Sequence, residues 1–78
     1  MDKLLSILRE IRPEHDFAAS EDLIFDGLLD SFDIVTLVAK MEEGFGITIR
    51  GEDVQYNNFK NLKNIKRLIK RYLKSDEI

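Results

Sequence analysis

The chain has 78 residues, of which 44% are hydrophobic and 35% are charged, and its formal net charge is −3. This composition is typical of one small domain with a single core, and it argues against intrinsic disorder and a deep catalytic cleft. No apolar run approaches the roughly 20 residues of a membrane span, and the N-terminus is too charged for a signal peptide. The sequence has no cysteine, so it predicts no disulfides and no thiol chemistry from the polypeptide itself. We therefore expect one cytoplasmic domain over residues 1–78.

The charge is distributed unevenly along the chain. Residues 1–58 contain 13 acidic and 5 basic residues, a balance of −8. Residues 59–78 contain 7 basic and 2 acidic residues, a balance of +5. An acidic body with a basic C-terminal segment is expected to steer encounters with charged partners.

The first predicted helix covers about residues 2–12. Its apolar residues recur at helical spacing and share one face: Leu4, Ile7, Leu8 and Ile11. Pro13 ends this pattern, and a long connection follows over about residues 13–29. Four apolar side chains are expected to hold the connection to the core: Phe17, Leu23, Phe25 and Leu28. A connection this long is uncommon in so small a domain and is often functional.

The second predicted helix covers about residues 31–43. Asp30 is a suitable N-cap, and Asp33 occupies the acidic position of a capping box. The core-facing residues follow at helical spacing: Ile34, Leu37, Val38, Met41 and Phe45. Gly44 and Gly46 are expected to end the helix.

Two further helices are predicted after an extended link over residues 47–49. The first is a short helix over about residues 52–56, and the second covers about residues 61–74. The last helix has an apolar face of Leu62, Ile65, Ile69, Tyr72 and Leu73. Its basic residues cover the opposite side: Lys63, Lys66, Arg67, Lys70, Arg71 and Lys74. The predicted fold class is all-α, a small four-helix bundle of three longer helices and one short helix with a long first loop.

The sequence contains no recognisable catalytic or metal-binding constellation. His15 is the single histidine, and it lies in a polar loop without a nucleophile at a recognisable spacing. The acidic segment 21–33 lacks the alternating oxygen ligands and terminal glutamate of a calcium loop. The basic residues of the last helix have no interleaved aromatic residues, so we expect no nucleic-acid binding. The chain is predicted to be no enzyme and to bind no metal.

The outer face of the second helix is unusually apolar for a solvated surface. Opposite the core-facing residues the pattern places Phe32, Val35, Thr36, Ala39 and Glu43. Acidic residues border this face: Asp33, Glu42 and Glu43. Either the helix is buried on two sides, or this face is a modest docking surface.

Ser31 stands at the predicted start of the second helix, between Asp30 and Asp33. A helix start favours a bound phosphate by roughly 0.3–1 kcal/mol, since its backbone N–H groups are unpaired. The two aspartates would oppose a phosphate unless a cation or the basic groups of an enzyme neutralise them. Ser31 therefore suits a modification site whose activating base belongs to another protein. The alternative is a plain helix-capping serine, which the spacing by itself favours.

The stretch GLLDSFDIVTLVAKMEEGFGITI, residues 27–49, resembles the core motif of acyl carrier proteins. That motif reads Asp-Ser-Leu-Asp and continues into an amphipathic helix that ends in acidic residues and FGI. The order of elements, the length and the segment NFKNLKNIKRLIKRY extend the resemblance over about residues 1–74. It implies that Ser31, flanked by Asp30 and Asp33, receives a phosphopantetheine arm from coenzyme A through a magnesium-dependent transferase. The thiol of that arm would carry acyl groups as thioesters, which fits the absence of cysteine.

The resemblance also implies a docking surface for partner enzymes. Asp30, Asp33, Glu42 and Glu43 match acidic positions that carriers present to basic patches, and Phe32 and Val35 would form the apolar centre. The implied partners are a phosphopantetheinyl transferase, an acyl-loading ligase or acyltransferase, and synthase-type enzymes. The carrier is expected to be a monomer that does not insert into membranes.

This sequence departs from the family pattern in ways that bear on its cargo. Phe32 replaces the usual aliphatic residue, Gly44 replaces an acid, and the basic last helix is unlike the acidic carriers of general fatty-acid synthesis. A dedicated pathway therefore becomes plausible. Peptidyl carriers usually have Gly-Gly before the serine, and D-alanyl carriers commonly have Met-Gly after it, where this chain has Phe32-Asp33. Acyl cargo is favoured over aminoacyl cargo, and an unmodified helical interaction domain is the alternative from another class.

Overall fold

The computed structural model describes residues 3–73, so the predicted helix ends at Asp2 and Lys74 lie outside the described residues. Four α-helices follow one another in this range: α1 (Lys3–Ile11), α2 (Ser31–Phe45), α3 (Tyr56–Phe59) and α4 (Leu62–Leu73). Single 3₁₀ turns precede α2 and α3, at Phe17–Ala19 and Gly51–Asp53. No strand occurs between residues 3 and 73, and residues 47–49 lie outside the helices, where the sequence predicts a link. The all-α class and the small helical bundle are confirmed.

The core is formed by apolar side chains from all four helices and from the segments that connect them. The buried residues are Leu4, Ile7, Leu8, Phe17, Leu23, Leu29, Leu37, Met41, Ile49, Phe59, Ile65, Leu68 and Ile69. The predicted apolar faces of α1, α2 and α4 all contribute to this core. On the outer side of α4 the basic residues are exposed: Lys63, Lys66, Arg67, Lys70 and Arg71. Within the described range, no helix combines the length and apolar character that crossing a bilayer requires.

The long first connection is held to the core by Phe17, Leu23 and Leu29, none of which is more than 2% exposed. The prediction that Phe25 is a further anchor is wrong, because 84% of this residue is exposed. The reason is a tight turn at Asp22, whose Oδ1 accepts hydrogen bonds from the backbone N–H groups of residues 24 and 25. This turn leaves Leu23 buried and Phe25 on the surface.

The two glycines at the end of α2 have different roles. Gly44 lies inside the helix, which extends two residues beyond the predicted end. A Cβ atom at Gly44 would lie 3.3 Å from Cδ1 of Ile7, so this glycine allows α1 to approach α2 closely. Gly46 ends the helix, because its φ of 68° is left-handed and its N–H donates to the carbonyl of Glu42.

Gly46→Ala should lower the free energy of unfolding by about 1 kcal/mol, since a Cβ atom disfavours a left-handed backbone. Gly51→Ala is the matched control, because Gly51 has no positive φ and its Cβ position is open. The control should change stability by less than about 0.5 kcal/mol. Urea denaturation of both variants measures the difference, and equal losses would contradict the assigned role of Gly46.

The short helix predicted over about residues 52–56 lies further along the chain. Gly51–Asp53 forms only a 3₁₀ turn, and α3 begins at Tyr56. The reason is Phe59, which is only 1% exposed. Its burial stabilises the helical turn that contains it, because that turn packs on the core. α4 then begins at Leu62, close to the predicted start.

Candidate functional site

Ser31 is the first residue of α2, and its side chain is exposed to solvent. The preceding residue, Asp30, is the N-cap, and its Oδ1 accepts a hydrogen bond of 2.8 Å from the N–H of Asp33. In return, Oδ2 of Asp33 accepts the N–H of Asp30 at 3.2 Å. The predicted capping box is therefore present and fixes the backbone on both sides of Ser31. Because Asp30 caps the helix, the Ser31 hydroxyl is not needed for that purpose.

The Ser31 hydroxyl also has no hydrogen-bond partner among residues 3–73. His15 lies elsewhere in the first connection, where its ring is in a T-shaped arrangement with that of Phe17 at a centroid distance of 6.1 Å. No group of three His, Asp or Glu side chains within the described range could hold a metal ion. Within residues 3–73, no side chain is therefore hydrogen-bonded to the Ser31 hydroxyl as an activating base would be.

Asp33 is buried, and the expectation that it lies at the surface is wrong. Its side chain is only 7% exposed, and its Oδ2 accepts a hydrogen bond of 2.9 Å from Nε of Arg12. Arg12 immediately follows α1, so the ion pair joins the end of α1 to the first turn of α2. This contact covers the carboxylate and removes it from the acidic border of the helix.

Arg12 is a site residue that the sequence reasoning missed. Its terminal nitrogens lie 3.6 Å from Oδ2 of Asp30 and 3.7 Å from Oε2 of Glu14. The hydrogen bond and charge of Asp33, with smaller contributions from Asp30 and Glu14, raise the pKa of the Arg12 guanidinium. The sequence signal for it was indirect: the two aspartates would oppose a phosphate unless a cation or the basic groups of an enzyme neutralise them. Arg12 supplies a cation next to both aspartates.

An open, largely apolar cleft of about 390 Å³ lies beside Ser31, between the start of α2 and α3. Its lining residues are Ile24, Asp30, Ser31, Ile34, Val35, Val54, Gln55, Tyr56 and Phe59. The hydroxyl of Tyr56 donates a hydrogen bond to the Asp22 carboxylate, which ties α3 to the first connection. This hydrogen bond lowers the pKa of Asp22 and raises the pKa of Tyr56. The cleft is therefore bordered by two segments that are joined to each other.

The outer face of α2 is uncovered at its first two turns. Phe32 is 75% exposed and Val35 is 67% exposed, so burial on two sides does not account for these residues. Phe25, which the sequence analysis placed in the core, adds a third exposed apolar side chain in the connection before α2. The signal for its exposure was the turn-forming Asp22.

The four acidic positions of the predicted docking surface divide into two pairs. Asp30 and Glu43 are exposed. Asp33 binds Arg12, and Glu42 is partly buried, with its Oε2 accepting the N–H of Ile49 at 2.9 Å. Glu42 thus holds the link after α2, and the exposed acidic surface is smaller than the sequence suggests.

A family model described as phosphopantetheine attachment site matches residues 2–71. The match covers most of the chain, so the protein belongs to this family of phosphopantetheine-binding carrier domains. Members carry a covalently attached phosphopantetheine group and are carrier domains rather than catalysts. Neither a comparison with curated proteins nor one with solved structures gave a significant match. The predicted resemblance and the predicted cofactor are confirmed.

The residues around Ser31 fit this prosthetic group. Ser31 offers an exposed hydroxyl at a helix start, where backbone N–H groups favour a phosphate. Arg12 neutralises part of the negative charge of the two neighbouring aspartates. The apolar cleft that begins at Ser31 gives an elongated arm a surface to lie against.

Proposed function

We propose that this protein is an acyl carrier protein whose phosphopantetheine arm is attached to Ser31. The carrier delivers acyl intermediates to partner enzymes of fatty-acid, polyketide or related biosynthesis, and it has no catalytic activity of its own. The observation that carries the proposal is the exposed Ser31 hydroxyl at the capped start of α2, beside an apolar cleft. Membership of the carrier family supports the same assignment.

In the attachment step the Ser31 oxygen forms a new bond to the phosphorus of the pantetheine phosphate in coenzyme A. The bond from that phosphorus to the oxygen that it shares with the nucleotide part of coenzyme A breaks, and the nucleotide part leaves. The proton of the hydroxyl goes to a base of the transferase. Asp30 and Asp33 hold the first turn of α2 and therefore the position of the serine. When bound, the group supplies a terminal thiol that carries acyl chains as thioesters.

Carrier domains interact in general with modifying transferases and with synthase-type partners. For this chain we propose a phosphopantetheinyl transferase, an acyl-loading ligase or acyltransferase, and synthases with basic docking patches. The exposed side chains of Phe32, Val35 and Glu43 are the contacts that we assign to these partners. A monomeric state and a cytoplasmic location stay predictions.

Acyl cargo is supported by the apolar lining of the cleft beside Ser31, which offers few polar groups to an amino acid. Loading assays with a fatty acid, D-alanine and other amino acids, each with a matching ligase, separate acyl from D-alanyl or peptidyl carriers. Acyl loading with no aminoacyl loading is the expected result. Preferential loading of an amino acid would contradict the assigned cargo.

The attachment itself is tested with purified protein, coenzyme A, magnesium and a broad-specificity transferase. The intact mass should increase by one phosphopantetheine group. The unmodified helical interaction domain predicts the bare polypeptide under the same conditions. A chain that stays bare while a known carrier is loaded in parallel would refute the proposal.

We expect slower transfer of phosphopantetheine from coenzyme A in two variants, Phe32→Ala and Glu43→Lys. Both should stay folded, because both side chains are exposed. Phe32→Ala should reduce kcat/KM by about tenfold at every salt concentration, since it removes apolar contact. Glu43→Lys should have a similar effect only at low salt, where charge steering is strong. Transfer rates over a salt series measure both. Two variants as fast as wild type at low salt would exclude docking through this face.

A further inference from the structure

The guanidinium of Arg12 is surrounded by carboxylates at the start of α2. Its Nε donates to Oδ2 of Asp33 at 2.9 Å, and two further nitrogens approach Asp30 at 3.6 Å and Glu14 at 3.7 Å. Arg12 and Asp33 are separated by 21 residues in the sequence. The contact therefore links the end of α1 to the residues that flank Ser31.

The buried carboxylate of Asp33 depends on this contact. It accepts only two hydrogen bonds in the described part of the chain, from the N–H of Asp30 and from Nε of Arg12. Without Arg12 a buried anion would lose its positive partner, which is strongly unfavourable. If the carboxylate turned towards water instead, the bond to the N–H of Asp30 would break. Either outcome loosens the backbone next to Ser31.

We propose that Arg12 is a positioning residue for phosphopantetheine attachment, acting on Ser31 through Asp33 and Asp30. This inference rests on the proposed function, in which Ser31 is the attachment site. An attacking oxygen must be aligned with the phosphorus atom, and small displacements of a reacting group reduce the rate strongly. Arg12 also offsets carboxylate charge that opposes an incoming phosphate. Both effects act after the carrier has docked.

The test compares Arg12→Gln with Arg9→Gln in the attachment assay. Arg9 lies in the last turn of α1, is exposed, and forms no ion pair between residues 3 and 73, so the control removes the same charge. In Arg12→Gln, kcat should fall by about tenfold, while KM for the carrier changes less than about threefold. Arg9→Gln should behave like wild type.

A double variant distinguishes positioning from direct contact with the transferase. In the double variant Arg12→Gln, Asp33→Asn, residue 33 no longer carries a negative charge without a partner. The side-chain oxygen of the new asparagine can still accept the hydrogen bond from the N–H of Asp30. This variant should return kcat to within about threefold of wild type, because the pair acts as a unit. If Arg12 instead touches the transferase, the double variant stays as slow as Arg12→Gln, which overturns the inference.

Hydrogen exchange reports the same effect without any enzyme. The amide of Asp33, which donates to Asp30, should exchange about tenfold faster in Arg12→Gln than in Arg9→Gln. Amides of Ile65 and Leu68 in the buried face of α4 should stay protected, which shows that the fold is retained. If Arg12→Gln does not fold, Arg12→Lys replaces it. Lysine keeps the charge but lacks the planar fork for two carboxylates, so a fall in kcat of about threefold is expected.

The outcomes separate this inference from the proposed function. Equal kcat values for the Arg9 and Arg12 variants, with both fully loaded, overturn the role of Arg12 and leave Ser31 as the attachment site. A higher KM with unchanged kcat also overturns it, because Arg12 would then contribute to docking. A wild-type chain that is never loaded refutes the proposed function itself.

Discussion

Ser31→Ala is expected to abolish phosphopantetheine attachment completely while the domain remains folded. The alanine variant lacks the oxygen that would bond to phosphorus, and no other group at the start of α2 can replace that oxygen. Stability should change by less than about 0.5 kcal/mol, because the Ser31 hydroxyl is exposed and Asp30 supplies the cap. Intact-mass measurement after incubation with coenzyme A, magnesium and the transferase records the modification, and urea denaturation records the stability.

Ser6→Ala is the matched control for this experiment. Ser6 is an exposed residue of α1, so its replacement removes a hydroxyl from the surface without touching α2. The control should gain one phosphopantetheine mass at the wild-type rate. If Ser31→Ala still gains this mass, another residue is modified and the assignment of Ser31 is wrong.

Asp33→Lys is expected to destabilise the domain by about 3–5 kcal/mol, because it puts an uncompensated cation at a buried position. The new ammonium group would face the guanidinium of Arg12, and the N–H of Asp30 would lose its acceptor. A loss of this size approaches the whole stability of a small domain, which is about 5 kcal/mol at the lower end. Urea denaturation and far-UV circular dichroism should therefore show a largely unfolded protein. The family resemblance placed Asp33 among the acidic docking positions, where the same substitution would slow docking in a folded domain.

Two further variants isolate the cause. Glu43→Lys makes the same change of charge on the exposed side of the same helix, and it should alter stability by less than about 0.5 kcal/mol. Asp33→Asn keeps an oxygen for the N–H of Asp30, so its loss should be closer to about 1 kcal/mol. If Asp33→Lys is as stable as Glu43→Lys, the ion pair of Asp33 with Arg12 has no structural importance.

Most of the core of the bundle could be predicted from periodicity, but the prediction missed the buried Leu68 of α4, and other errors occur where the chain leaves its helices. Leu4, Leu37 and Ile65 are buried as the helical spacing requires. Phe25 was misplaced, because its exposure depends on side-chain hydrogen bonds of Asp22 rather than on hydrophobicity. The short third helix was misplaced for a related reason, since burial of Phe59 decided which turn became helical.

The candidate site could be predicted in part. The sequence predicted the position of Ser31, the N-cap Asp30 and the capping box. These groups interact within one helical turn, so they leave a pattern in four successive residues. The contacts of Asp33 with Arg12 and of Glu42 with Ile49 could not be predicted. The sequence shows only that both are acidic residues of a helix, and it does not indicate whether their side chains are exposed or contact another segment.

The sequence alone determined the helical class, the family motif and the position of Ser31 at a helix start, because each depends on residues close together in the chain. Tertiary structure alone decided that Arg12 neutralises Asp33, that an apolar cleft begins at Ser31, and that Phe32 remains uncovered. These features depend on how α1 and α3 lie against α2. That arrangement is set by packing of the whole core, and no local pattern of residues encodes it.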